Sequence, residues 1–330
     1  MLLDLRHELE QKRNMLSSVE ICAGAGGQAL GLEEAGFAHS ALVEIDADCC
    51  KTLRLNRPHW NVIEADVRKF DGRPYRGADL FAGGVPCPPF SMAGKQLGQA
   101  DERDLFPEAV RLIDEIRPRA VLLENVRGLM GAVFQDYRNH IARDVGKMGY
   151  WTGWRLLNAS DYGVPQLRPR VAFVALAKGL EDAFDWPVPL NSDPVTVSAA
   201  LGDLMGKNGW RGLDAWKARA NEIAPTLVGG SKKHGGPDLG PTRARAAWAA
   251  LGVNGKSLAE NAPEPDFVGM PRLTPRMAAR IQSFPDSWAF HGRKTTAYRQ
   301  IGNAFPPLVA AAIAKELKKA IGVRRFQAVA

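Results

Sequence analysis

Short apolar runs that alternate with segments of helical spacing constrain the fold of this chain more than any other feature. Val19-Glu20-Ile21-Cys22, Ser40 to Ile45, Val62-Ile63, Asp79 to Ala82, Val121 to Leu123 and, later, Val171 to Leu176 have the length and apolar content of strands. Between them, Leu105 to Ile116 and His140 to Met148 keep helical spacing, and helices are expected to begin after Gly27, Ala47, Asp104 and Gln135. Strands separated by helices are joined by crossovers, so the chain predicts an α/β fold on a doubly wound, mostly parallel sheet. Beyond residue 178 the pattern breaks: Phe184 to Asp193 is rich in Pro and Asp, and Gly229 to Pro241 mixes Gly, Lys, His and Pro without periodicity. Helical spacing returns in Pro275 to Phe284 and in Leu308 to Ile321, with Pro307 near a helix start. Residues 1–177 and 272–330 are therefore expected to form one domain and residues 178–271 a smaller, irregular, loop-rich lobe.

Composition removes several function classes. Leu2, Leu3, Leu5 and Leu9 are interleaved with charged residues, which suggests a short amphipathic helix and breaks up any signal-peptide core. The apolar stretch Leu308 to Ala314 falls far short of the ~20 residues a bilayer span requires, so a cytoplasmic protein with no membrane association is expected. The four cysteines at 22, 49, 50 and 87 show no zinc-ligand spacing and no disulfide framework, and no metal site is expected. A formal charge of +7 favours a polyanionic partner. The excess is concentrated: Lys207 to Lys256 holds nine Lys and Arg against three acids.

Three constellations carry chemistry. Ala23-Gly24-Ala25-Gly26-Gly27 follows the first strand and opens a helix, a turn that lets backbone N–H groups approach a ligand. Glu44 ends the second strand, where a carboxylate can accept both hydroxyls of a ribose, and Asp66 follows the third, placed for an adenine amino group. Because Gly24, Gly26 and Ala29 also satisfy G-x-G-x-x-A, these residues suit a nicotinamide dinucleotide as well as S-adenosylmethionine. In the second constellation, Pro86-Cys87-Pro88-Pro89, three prolines leave one thiol little backbone freedom, which suits a nucleophile held at a fixed angle. The third joins Glu124, at the end of a strand apolar enough to desolvate a carboxyl, with Gln166, Arg168 and Arg170, which share one face of an extended segment. Two guanidinium groups on that face can hold a phosphate and a carbonyl oxygen.

In this order, and with Leu273-Thr274-Pro275-Arg276 and Tyr298-Arg299-Gln300-Ile301-Gly302-Asn303-Ala304 following, these segments resemble the bacterial DNA (cytosine-5) methyltransferases of restriction-modification systems. The resemblance spans nearly the whole chain and implies the fold of the S-adenosylmethionine-dependent methyltransferases, with residues 178–271 as the target-recognition domain. It implies that Cys87 is the nucleophile, that Glu124 contacts N3 and the amino group of the base, that Arg170 lies near the cytosine carbonyl, and that Arg168 lies close to phosphate. Ala23, Gly24, Gly26, Gly27, Glu44, Ile45, Asp66, Val67 and Asn303 take the places of the cofactor contacts. Cys22 stands where the family generally has a phenylalanine against the adenine, and Val85 and Pro88 replace a more frequent Pro and Gln.

The activity so implied is methyl transfer to C5 of a flipped-out cytosine in duplex DNA, by one self-sufficient chain paired with a restriction endonuclease. RNA cytosine methylation is the alternative. A zinc deaminase is disfavoured, because Phe90 stands where its second cysteine belongs. Candidate DNA contacts are Ser91 in the thiol loop, Thr226 beside Leu227, and Arg211, Arg219, Lys232, Lys233, Arg243 and Arg245 in the basic lobe.

Overall fold

The structure, a computed structural model, describes residues 15–86, 104–230, 236 and 238–327. The expected roles of Cys87, Ser91, Lys232 and Lys233, and of an N-terminal amphipathic helix, fall outside the described residues.

The first half alternates as its sequence demands: β1 (Leu16–Ile21), α1 (Gly27–Ala35), β2 (Phe37–Glu44), α2 (Ala47–Asn56), β3 (Val62–Glu64), β4 (Leu80–Gly84), α3 (Phe106–Ile116), β5 (Ala120–Val126) and α4 (Gln135–Lys147). Then come β6 (Tyr150–Asn158) and β7 (Pro169–Ala177). The seven strands form one sheet in the order β3-β2-β1-β4-β5-β7-β6. The pairs from β3 to β5 are parallel, while β7 is antiparallel to both β5 and β6. The order reverses beside β1, so the carboxyl ends of β1, β2, β4 and β5 converge on one edge, where doubly wound sheets bind ligands.

Strand β6 has no counterpart among the expected runs. It is the sheet edge, and its exposed Trp151, Arg155 and Leu156, with Gly153 between them, deny it both a continuous apolar run and a clean alternation.

Side chains of period two divide the core into layers. Val19, Ile21, Phe81, Val121 and Phe173 pack against α3 and α4, whereas Leu80, Ala82, Leu122 and Val174 face α1 and the C-terminal helix. That helix, α10 (Pro307–Gln327), follows α5 (Val197–Met205), α6 (Leu213–Arg219), α7 (Thr242–Ala250), α8 (Pro275–Ile281) and α9 (Lys294–Asn303). Thr274 caps α8, its hydroxyl accepting the Met277 amide at 3.2 Å, and Pro275 occupies the first turn, where a missing N–H costs nothing.

The lobe differs from expectation in two respects. Residues 178–190 belong to the sheet side: Phe184 packs against Trp151, and the Tyr162 hydroxyl donates to the Pro187 carbonyl at 3.0 Å. Nor does the lobe have a core of its own. Trp210, Trp216 and Trp248 lie in one cluster with Met277, Phe284 and Trp288 and with Leu30, Leu53 and Trp60 of the sheet domain. Its apolar residues are buried jointly with those of α8 and the segment that follows it. No helix among the described residues is long and apolar enough to cross a membrane.

Helix α10 lies against α1 because α1 offers it two glycines one turn apart. A Cβ on Gly27 would come within 2.2 Å of the Phe305 carbonyl oxygen, and one on Gly31 within 2.4 Å of the Pro307 carbonyl oxygen. Gly31→Ala is therefore expected to destabilise the protein by about 2 kcal/mol through overpacking. Gly146→Ala, in α4 with nothing within 4 Å of the new methyl, should be neutral or stabilising by up to about 1 kcal/mol. Urea unfolding of both variants checks the contrast, and equal effects would refute the packing argument.

Candidate active site

The glycine-rich turn after β1 has an unusual backbone. Cys22, Gly24 and Gly26 all have left-handed φ values, at 50°, 54° and 88°, which glycine adopts freely and cysteine does not. Two outside groups hold the turn. The Trp288 indole donates to the Ala25 carbonyl at 3.1 Å, and the Gly24 amide donates to Glu44 Oε2 at 2.7 Å. The other Glu44 oxygen accepts the Asp46 amide at 2.7 Å. Burial raises the Glu44 pKa, and amide donors from Asp46, Gly24 and Ile45 oppose it. The Arg68 amide and guanidinium hold Asp66 below the usual carboxylate range.

A cleft of about 400 Å³ opens above this turn. Ala23, Gly24, Gly27, Glu44, Ile45, Asp66, Val67 and Asn303 all line it. Gly26 does not; it lies beneath, where a Cβ would meet Leu53 at 2.7 Å and Trp288 at 2.9 Å.

The sequence reading missed Glu20, Gln28 and Arg299, which line the same cleft. Glu20 is 1 % exposed, and neither carboxyl oxygen has a hydrogen-bond partner among the described residues. Burial, reinforced by Glu44, pushes its pKa well up. Its signal was present, an acid inside a buried strand one turn from a glycine-rich loop, but that residue was absorbed into the apolar run.

At the far end of the cleft β4 pairs with β5 so that Gly84 lies opposite Glu124. A Cβ on Gly84 would be 3.5 Å from Glu124 Oε2. The Asn125 amide donates to the Val85 carbonyl at 2.7 Å, and Pro86 lines the cleft. The chain entering the Pro-Cys-Pro-Pro segment is thus fixed beside the buried acid. Arg170 Nε lies 2.8 Å from Glu124 Oε1, with both side chains nearly buried. Burial raises the Glu124 pKa, and Arg170 and Arg168 pull it down.

Arg168 departs from the phosphate role expected of it. It is fully buried, and its guanidinium donates to the carbonyls of Leu227 at 2.8 Å, Gly302 at 2.7 Å and Ala304 at 3.2 Å. Residues 224–230 help to cover Arg168, which has no free surface, whereas Arg170, in β7, lies against Glu124.

The lobe's basic residues divide as well. Arg219, which is exposed, donates to the Ala249 and Ala250 carbonyls at the end of α7. Arg211 pairs with Asp266 at 2.9 Å and Arg245 approaches Asp238 at 3.8 Å, while Arg243 is exposed on α7. Thr226 donates its hydroxyl to the Leu167 carbonyl, beside the Arg168 network.

The three described cysteines are free thiols. Burial and the acids Glu44, Glu20 and Asp66 push Cys22 up, burial and Glu44 do the same to Cys49, and Cys50 is pushed up to about 12. None of them is a thiolate near neutral pH.

Comparisons with known proteins agree with this arrangement. The family model for C-5 cytosine-specific DNA methylases matches residues 16–319. The type II methyltransferase M.NgoMIV of Neisseria gonorrhoeae is 56 % identical over 308 residues, covering 92 % of this chain and 98 % of the relative. M.NaeI of Lentzea aerocolonigenes is 55 % identical over 314 residues, covering 93 % and 76 %. A structure described as a DNA modification methyltransferase of an Escherichia coli prophage superposes with a TM-score of 0.66 at 26 % identity, over 93 % of this chain and 99 % of that one. The Spodoptera frugiperda DNMT2 shares the fold at a TM-score of 0.64 and 20 % identity, over 92 % and 100 % of the two chains. With most of its length matched by one family and relatives more than half identical to it, the chain belongs to the C-5 cytosine-specific DNA methylases and takes its methyl group from S-adenosylmethionine.

Proposed function

We propose that this DNA methyltransferase acts in the cytoplasm as a monomer, modifies a cytosine flipped out of a short duplex sequence through a covalent adduct at Cys87, and thereby protects DNA from a partner endonuclease. One observation carries the reading: Glu124, paired with Arg170, adjoins the chain that enters the Cys87 segment, and Glu124 and Pro86 both line the cleft formed by the glycine-rich turn and Glu44.

The residues fit the cofactor. Glu44 keeps lone pairs for a ribose, and the unpartnered carboxyl of Glu20 suits an α-ammonium group. Bound there, S-adenosylmethionine supplies a methyl group on a sulfonium, an electrophile that unactivated cytosine C5 cannot attack. Cys87 provides the activation: its thiolate adds to C6 as N3 takes a proton from Glu124, which leaves C5 electron-rich. Arg170 orients the Glu124 carboxyl and faces the base carbonyl. Once C5 is methylated, loss of its proton returns the electron pair to the C5–C6 bond, expels the sulfur and lets Glu124 recover its proton. The high pKa values of Cys22 and Cys49 keep either thiol from competing. Because C6 is unreachable in a stacked duplex, the base must leave the helix.

Three outcomes follow. Cys87→Ala should abolish methyl transfer and trapping on 5-fluorocytosine oligonucleotides while S-adenosylhomocysteine still binds; transfer at the wild-type rate would overturn the covalent route. For Glu124 the raised pKa means that the donor form is full at lower pH and is lost as pH rises through that value. Transfer should fall on that alkaline side, and Glu124→Gln should lower kcat by about 10²-fold and remove the falling limb. Burial holds the Glu20 pKa up and an ammonium beside it would pull that pKa down, so calorimetry in buffers of different ionisation heat should show proton release on S-adenosylhomocysteine binding, absent in Glu20→Gln.

A further inference from the structure

Arg168 lies where three parts of the chain meet. Besides the Leu227, Gly302 and Ala304 carbonyls, it reaches Gln166 Oε1 at 3.3 Å. Gln166, also fully buried, accepts the Leu227 amide at 2.8 Å and donates to Gln282 Oε1 at 2.7 Å. The Leu167 amide donates to the Ala224 carbonyl at 2.7 Å, and the Ala224 amide to the Pro165 carbonyl at 3.2 Å.

On its other side the 224–230 segment lies directly on α9. A Cβ on Gly302 would come within 2.5 Å of the Gly229 Cα, and Asn303, which lines the cofactor cleft, donates its amide to the Gly230 carbonyl at 3.1 Å. A cation suits this place because Gly302 and Ala304 present carbonyls at the negative end of α9. A buried cation is tolerated when most of its donors are engaged, and here the two terminal nitrogens serve three carbonyls while the buried Nε has no partner among the described residues.

We propose that Arg168 is a positioning residue. It holds the 224–230 segment of the target lobe and the last turn of α9 in register with the Glu124–Arg170 pair, and so sets where a base presented by the lobe meets the acid. It does not grip a phosphate. Arg168 immediately precedes β7, and two residues further on, within that strand, Arg170 touches Glu124, so the anchor and the acid's partner share one short stretch of chain. The proposal rests on the reading of Glu124 and the lobe given above.

Arg168→Met and Arg168→Lys in the full chain test it through methyl-transfer kinetics, duplex binding at several salt concentrations and hydrogen–deuterium exchange. For Arg168→Met, kcat is expected to fall about 10²-fold, the cost of a misplaced reacting group. Affinities for S-adenosylhomocysteine and duplex should stay within about threefold and the salt dependence should be unchanged, since no phosphate contact is lost. Amides of 224–230 and 302–304 should exchange faster while β1 to β5 stay protected, and Arg168→Lys should fall between.

A drop of about one in the slope of log Kd against log salt would identify a phosphate contact and overturn the proposal, as would unchanged exchange in 224–230. Should Arg168→Met fail to fold, Gly302→Ala, which pushes the two backbones apart, is expected to lower kcat at unchanged duplex affinity; wild-type kcat there would count against the proposal. If the wild-type protein transfers no methyl group to DNA, the functional reading fails while the exchange experiment still decides the role of Arg168.

Discussion

The pairing of β4 with β5 is the constraint on which the rest of this site depends. Parallel register puts Gly84 opposite Glu124 and brings Pro86, two residues on, into the lining of the cleft. A slip of one residue would turn every side chain of either strand to the opposite face and carry the acid away from the segment it serves. The register is fixed by layers on both sides of the sheet, with Phe81 and Val121 packed one way and Leu80 and Leu122 the other. Catalytic geometry is thus inherited from core packing: the strands cannot shift without breaking both layers.

Electrostatics are arranged around this frame so that each acid has a distinct fate. Glu44 keeps two amide donors, Asp66 keeps Arg68, Glu124 keeps Arg170, and Glu20 has no partner among the described residues. Of these four, Glu20 is the one left for a ligand to neutralise. Burial raises three of these four, so the cleft holds its protons more tightly than its composition suggests.

The sheet was legible because buried parallel strands are short, apolar and bounded by turns, and the run before Glu124 shows all three properties. Strand β6 was not, because an edge strand carrying Trp151, Arg155 and Leu156 resembles a loop when read one residue at a time. The turn, Glu44 and Glu124 announced themselves through residue type and position at strand ends. Arg168 shows the limit of such reasoning. Alternation put it beside Arg170, but whether a guanidinium faces solvent or three carbonyls depends on residues 227, 302 and 304, which are distant in sequence. The start of the lobe was misplaced for the same reason: a Pro-rich stretch looks like a linker until Phe184 is seen against Trp151.

The contact between α1 and α10 bears on how the protein is made. Gly27 and the Phe305 carbonyl it approaches are far apart in sequence, so the floor and one wall of the cleft are synthesised at widely separated times. Such distant closure is slow, because the loop entropy is lost before the contact compensates for it. A nascent or truncated polypeptide therefore has no complete methyl-donor pocket, and the donor cannot stabilise a partial fold by mass action. Competence therefore waits on the docking of α10 against α1.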